Sequence, residues 1–184
     1  MNKNIVEKLE EILLDENPWL KHYYDRVRFP NGSEGRYNRI VEGNENRGIV
    51  ILPLNSNKEL GLVKLYRYPI QLWQWELPRG FGENNLTAED NAKRELEEEM
   101  NMQAEKLVVL GSTFPNSGLL ASEVDIVVAN NVKSINKIGD MEKGMIKEFK
   151  FFNINQIKEM VCSGIIKDSF TIIAYTLANL KGYI

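Results

Sequence analysis

Residues 80–102, GFGENNLTAEDNAKRELEEEMNM, close on the run Arg94-Glu95-Leu96-Glu97-Glu98-Glu99 after a loop punctuated by Pro78, Gly80 and Gly82. On a helix, residues three and four apart share a face, so Glu95 stands beside Glu98 and Glu99, and Arg94 beside Glu98. Like charges at this spacing destabilise a bare helix, and a bound cation offsets them. Carboxylate oxygens are hard ligands that suit Mg2+ or Mn2+, ions that polarise phosphate oxygens and activate water. Glutamate runs on helices are more often solvated faces, so the argument has to come from what surrounds the run.

The elements that must position it are readable from pattern. Thr87 with Asp90 three residues later marks a helix start in the manner of a capping box. Ala88, Ala92, Leu96 and Met100 form the buried stripe, which leaves the glutamates facing away from the core. Asn101 follows the helix, where a left-handed conformation is commonly needed and Asn tolerates it. Upstream, strands are expected over 48–54, 61–68 and 75–77. Downstream they are expected over 107–114, 124–129 and 146–152, followed by helices over 155–162 and 168–180 with Asp168 as N-cap. Residues 130–144 read as a polar loop. Ile5, Val6, Leu9, Ile12 and Leu13 follow a helical period that stops at Asn17-Pro18. The segments 23–29 and 36–41 flank the turn Pro30-Asn31-Gly32 as a β-hairpin. Strands mixed with helices that must cover both faces give an α/β fold, an α/β/α sandwich with a mixed sheet. An N-terminal helix and β-hairpin extension (1–45) precedes the main domain (46–184).

Composition agrees with this plan. The 184 residues, 43% hydrophobic, can bury one full core with a small appended subdomain. A net charge of -3 argues against nucleic acid or an anionic membrane as partner. The single cysteine, Cys162, excludes an internal disulfide framework. No apolar stretch reaches membrane-spanning length and the acidic start does not resemble a signal peptide, so a cytoplasmic location is expected.

The run in its context resembles the signature of the Nudix hydrolases. Gly80, Arg94, Glu95, Leu96, Glu98, Glu99 and Met102 fall on motif positions without a gap. Leu86 stands where the motif has its early Glu, with Glu83 and Glu89 three residues to either side, and Asn101 stands where it has its helix-ending Gly. Four further segments are similar to the branch that hydrolyses ADP-ribose and nucleoside-diphosphate sugars: RFPNGSEGRYNRI, LYRYPIQLWQWELPRG, TFPNSGLLASEVDIVVA and GIIKDSFTIIAYTLA.

The resemblance implies a Nudix-type fold and a pyrophosphatase that uses Mg2+ or Mn2+. It implies Glu95 and Glu99 as metal ligands, with Glu98 binding through water or holding the array and Arg94 orienting it by an ion pair. The backbone carbonyl of Arg79 is a further ligand, because the loop before Gly80 must approach the metal and glycine permits that. Glu123 is implied as general base, and Arg67 and Glu76 as substrate-binding residues, Arg67 as a phosphate clamp. Tyr66, Tyr68, Trp73 and Trp75 are assigned to no base, and His22 has a solvated or hairpin role. The implied substrate is ADP-ribose or a related nucleoside-diphosphate sugar, and the implied assembly a homodimer contacting through the N-terminal hairpins. A nucleotide sensor on the same fold, and hydrolysis of dinucleoside polyphosphates or coenzyme A, are the alternatives.

Overall fold

A computed structural model describes residues 5–43, 46–83, 85–135 and 146–184, and of Glu99 only the backbone. These gather into two units, residues 1–47 with 114–123, and residues 48–113 with 124–184. Sequence reasoning had placed 114–123 wholly in the main domain. The segment joins the first unit because Ile40 donates its N–H to Leu119 and accepts from Ala121, a short bridge that only long-range pairing reveals.

The first unit is built on an antiparallel sheet of β1 (Glu7–Glu10), β2 (Leu13–Asn17), β3 (Leu20–Arg28) and β4 (Glu34–Glu42). The long β3–β4 hairpin, turned at Gly32 with φ +86°, is the one the sequence predicts. The N-terminal helix expected before it is absent from the described residues: β1 and β2 pair with β3 instead. The helical period was satisfied by five apolar residues, three of which (Ile5, Val6 and Leu13) are exposed in the structure and so supply no buried stripe. What fixes the strands is cross-strand chemistry, with Glu7 and Glu10 paired to Arg28 and Arg26 of β3. Asp25 of β3 is buried and accepts from the Ile12 N–H between the two short strands.

The second unit centres on a seven-stranded mixed sheet. Its order is β10 (Lys106–Thr113), β11 (Val124–Asn130), β5 (Gly48–Leu54), β6 (Leu60–Arg67), β13 (Ile146–Phe152), with β7 (Leu72–Glu76) paired to β6 and β8 (Arg79–Phe81) to β5. Only β11 and β5 run parallel. β5 reads GIVILPL, an unbroken apolar run, because both its faces are covered. Ile49 and Ile51 pack with Ala92, Leu96 and Met100 of α1 (Ala88–Met100). Val50, Leu52 and Leu54 pack with Ile157 of α2 (Ile154–Cys162) and Ala174 and Ala178 of α3 (Ser169–Leu180). Each fully buried aliphatic side chain contributes roughly 1.5–3 kcal/mol, so this two-sided burial sets the α/β/α layering. Two-residue strands β9 (Met102–Gln103) and β12 (Lys133–Ser134) pair beside it, β12 within part of the segment expected as a loop. The remainder of that loop, 136–144, lies outside the described residues. Among the described residues, no helix is long and apolar enough to cross a membrane.

Candidate active site

The helix that carries the glutamates begins and ends as its sequence dictates. Thr87 accepts from the Asp90 N–H at 3.1 Å, and its hydroxyl donates to the Asp90 carboxylate at 2.8 Å. Glu89 and Asp90 in the first turn favour the positive end of the helix dipole. Asn101 closes the helix with φ +49°, its N–H donating to the Leu96 carbonyl, so the residue in place of the motif glycine adopts the conformation that position requires.

Arg94 is the hub of the cluster. Its Nη2 donates to Glu95 Oε1 at 2.6 Å and to the Phe81 carbonyl at 2.9 Å, and its Nη1 donates to Glu98 Oε2 at 2.7 Å. Nε lies 3.4 Å from Glu83 Oε1, an ion pair without hydrogen-bond alignment. Burial opposes the guanidinium charge, but Glu95, Glu98 and Glu83 outweigh it and hold its pKa above the ordinary arginine value. Of the two glutamates flanking Leu86, Glu83 is therefore the one drawn to the array, while Leu86 points to solvent.

Glu95 departs from the expectation that the glutamates face away from the core. Its carboxylate is buried against β8, and a Cβ built on Gly80 would fall on it. A glycine at 80 is thus a requirement of packing, and it brings the backbone of β8 against a carboxylate. Glu98 stays exposed at the rim. Among the described residues no three acidic, histidine or cysteine side chains form a complete metal shell, and the Glu99 side chain lies outside them. The donors that are described, two carboxylates and a backbone strand held open by glycine, have the hard-oxygen chemistry that a divalent cation such as Mg2+ or Mn2+ takes.

A second cluster lies on the same unit. Arg67 donates from Nε to both oxygens of Glu76, at 3.1 and 2.9 Å, and from Nη2 to Oε2 at 2.5 Å. Glu76 is only 2% exposed, and Arg79 Nη2 lies 3.6 Å from it and 3.9 Å from Asp168 Oδ1. Asp168 caps α3 and accepts from the Thr171 hydroxyl at 2.7 Å. That buried hydroxyl accepts in turn from the Leu77 N–H at 2.9 Å, and the Pro78 carbonyl accepts from Ile51 N–H at 3.0 Å. The loop leading to Gly80 is therefore pinned from both sides. Arg67, Glu76, Arg79 and Asp168 border a cavity of about 330 Å3.

Sequence reasoning named Arg67 and Glu76 as substrate-binding residues without pairing them, and Arg79 only through its backbone. It had Asp168 as a helix cap alone and had no role for Gln74 or Thr171. The capping signal was legible; the reach from Thr171 to Leu77 spans 94 residues and was not. Glu123 belongs to the first unit, where it pairs with Arg47 at 2.5 Å. It lines a cavity of about 490 Å3 with Tyr23, Arg39, Arg47 and Ser122. Arg39 lies 3.9 Å over the Tyr23 ring and donates to Asp25 and Glu11, each at 2.8 Å. His22 Nε2 is 3.0 Å from Asn38 Oδ1 on the exposed hairpin, and Trp75 stacks edge-on against Phe152.

The NUDIX domain family model matches residues 44–167. An ADP-ribose pyrophosphatase of Bacillus subtilis (strain 168) is 23% identical over 159 residues, covering 86% of this chain and 84% of that protein. A methanol dehydrogenase activator of Bacillus methanolicus is 25% identical over 162 residues, covering 88% and 86%. The crystal structure of an ADP compounds hydrolase superimposes with a TM-score of 0.84 at 19% identity, covering 97% of this chain and 95% of that one. With the motif residues gathered around Arg94 and the family model spanning most of its length, the chain belongs to the Nudix family of hydrolases.

Proposed function

We propose that this Nudix hydrolase cleaves the diphosphate of ADP-ribose or a related nucleoside-diphosphate sugar, releasing a nucleoside monophosphate and a sugar phosphate, with Mg2+ or Mn2+ as cofactor. The observation that carries the reading is the Arg94 array, which holds Glu95 against Gly80 and Glu98 at the rim. The names of the Bacillus subtilis relative and of the structural neighbour support the substrate class.

The metal ligands in this reading are Glu95, Glu99 and the Arg79 carbonyl, with Glu98 binding through water or supporting the others. A cation held there neutralises diphosphate oxygens and raises the acidity of the attacking water. Arg94 keeps two carboxylates side by side that would otherwise repel each other. Thr171 and Ile51 hold the loop whose backbone approaches them. Arg67, its fork fixed by Glu76, stands at the pocket as the phosphate clamp, because a planar guanidinium matches phosphate oxygens. Glu123 is the general base that the family resemblance implies, and in that role it would take a proton from the attacking water as that oxygen bonds to phosphorus and the bridging P–O bond breaks. The working form is a homodimer in the cytoplasm, its N-terminal sheets packed on the partner.

The test is a panel of nucleoside-diphosphate substrates with Mg2+ and with Mn2+, read as release of AMP or its counterpart. Turnover on ADP-ribose is expected, and Glu99→Gln is expected to lower it by at least about a hundredfold with the fold intact. Unchanged activity in that variant removes Glu99 from the metal site. A thermal shift with ADP-ribose but no AMP release makes the chain a binder instead, and a single monomer-mass peak in light scattering removes the dimer.

A further inference from the structure

In the cavity beside Arg67 and Glu76, one polar side chain has no account in the fold. Gln74 is 6% exposed and lines the cavity, and its Oε1 has no hydrogen-bond partner among the described residues. Gln74 and Glu76 alternate along β7, so both side chains leave the same face of the strand, with Trp73 and Trp75 on the other. Burying an amide without a partner opposes folding, whereas an apolar side chain of the same length at that place favours it. An unsatisfied group of this kind in the wall of a cavity has its partner in what the cavity holds.

The surroundings say what that partner is. The cavity presents two guanidinium groups, from Arg67 and Arg79, against the carboxylates of Glu76 and Asp168, with Lys167 adding a further positive charge. That balance suits a ligand carrying a phosphate. The Ser169 hydroxyl and the carboxylates also line it, and these are partners for hydroxyl groups. Among the described residues no aromatic side chain lines it, so they offer this wall no stacking surface of the kind a nucleobase uses. We infer that Gln74 is a specificity-determining residue that hydrogen-bonds a sugar hydroxyl in the Arg67–Glu76 cavity, and that this cavity receives the sugar-phosphate half of the substrate. The inference rests on the proposed hydrolysis of a nucleoside-diphosphate sugar.

The experiment uses the full chain and the variant Gln74→Met, which keeps the length of the side chain and removes its polar atoms, with Gln74→Leu as a second variant. Calorimetric titration with ribose 5-phosphate should show binding to the wild type and roughly tenfold weaker binding to the variants, the loss expected for one neutral hydrogen bond. Affinity for AMP should be unchanged. The KM for ADP-ribose should rise by a similar factor while kcat stays within about twofold, because the bond is made equally in ground and transition states. The melting temperature of the ligand-free variants should be equal to or above that of the wild type. A lower melting temperature in both variants makes Gln74 a structural residue and overturns the inference. So does ribose 5-phosphate binding that is absent in the wild type or unaffected in the variants, or a loss in AMP affinity instead. Hydrolysis with an unaltered KM sinks the Gln74 assignment and leaves the hydrolase standing. Gln74-dependent binding of ribose 5-phosphate with no AMP release does the reverse.

Discussion

The two units spend their charged residues differently. In the N-terminal sheet, ion pairs such as Arg28 with Glu7 and Glu34, and Arg26 with Glu10 and Glu34, run across solvent-exposed strands and take the place of a large core, since Tyr23 and Val27 are the buried hydrophobic residues identified there. In the second unit the strands are held by aliphatic burial on both faces, and the ion pairs collect at two places, around Arg94 and around Arg67. Where apolar packing already supplies the stability, the buried carboxylates Glu76 and Glu95 are a cost that their arginine partners offset, as Arg39 offsets that of Asp25 in the first unit. The same residue types, Arg and Glu at hydrogen-bond distance, run across exposed strands in one unit and gather around buried carboxylates in the other.

The sharpest way to break this contrast is Arg67→Met. It strips Glu76 of a three-bond partner while leaving it buried, with only Arg79 nearby, and is expected to cost about 3 kcal/mol in chemical denaturation. A loss no larger than that of a surface pair means that the two kinds of ion pair do not differ. Next comes Gly80→Ala, whose methyl must displace the Glu95 carboxylate. Activity is expected to fall on the order of a hundredfold, since displacing a supporting or ligating group at a metal site has effects of that size, with circular dichroism unchanged. Wild-type turnover in this variant counts against Glu95 as a ligand.

A smaller effect is a pH dependence confined to the N-terminal unit. Burial pushes the Asp25 pKa up, but the hydrogen bonds from Arg39 and the Ile12 N–H prevail and bring it below its ordinary value of 3.8. A carboxylate depressed in the folded state contributes stability above its unfolded pKa and loses it as pH falls through the folded one. Amide protection factors in β1–β3, measured against the intrinsic rate at each pH, should therefore fall as the pH drops below about 4, and Asp25→Asn should remove that dependence. Smallest of all, Arg28→Ala should leave the thermal midpoint within error of the wild type, because both its partners are exposed and share it across open strands. A large drop there would make the N-terminal pairs structural anchors and blur the contrast.

What could be read from sequence follows the range of the interactions. Thr87, Asp90 and Asn101 act within one helical turn of the box, and their roles were legible as caps. The strand 48–54 was legible because both its faces are buried and its sequence is apolar throughout. The N-terminal helix was an error for the opposite reason: Glu7 and Glu10 carry the pairing signal, but their partners Arg28 and Arg26 lie 21 and 16 positions away, and no local period encodes them. The burial of Glu95 was missed because it depends on the absence of a side chain at Gly80, on strand β8 rather than on its own helix.

The hydroxyl of Thr171 has a consequence for the order in which the protein is made. The loop before Gly80 is tied through the Leu77 N–H to a residue 94 positions later, in α3. A nascent chain whose synthesis has passed the glutamates but not Asp168 holds the reactive residues without the anchor that sets their loop. That loop is then fixed late in translation, after the sheet and the helix that carries the glutamates have been synthesised. Chains stalled before α3 also leave the Val50, Leu52 and Leu54 face of β5 uncovered, so an assay of stalled chains should find this unit protease-sensitive until α3 emerges from the ribosome.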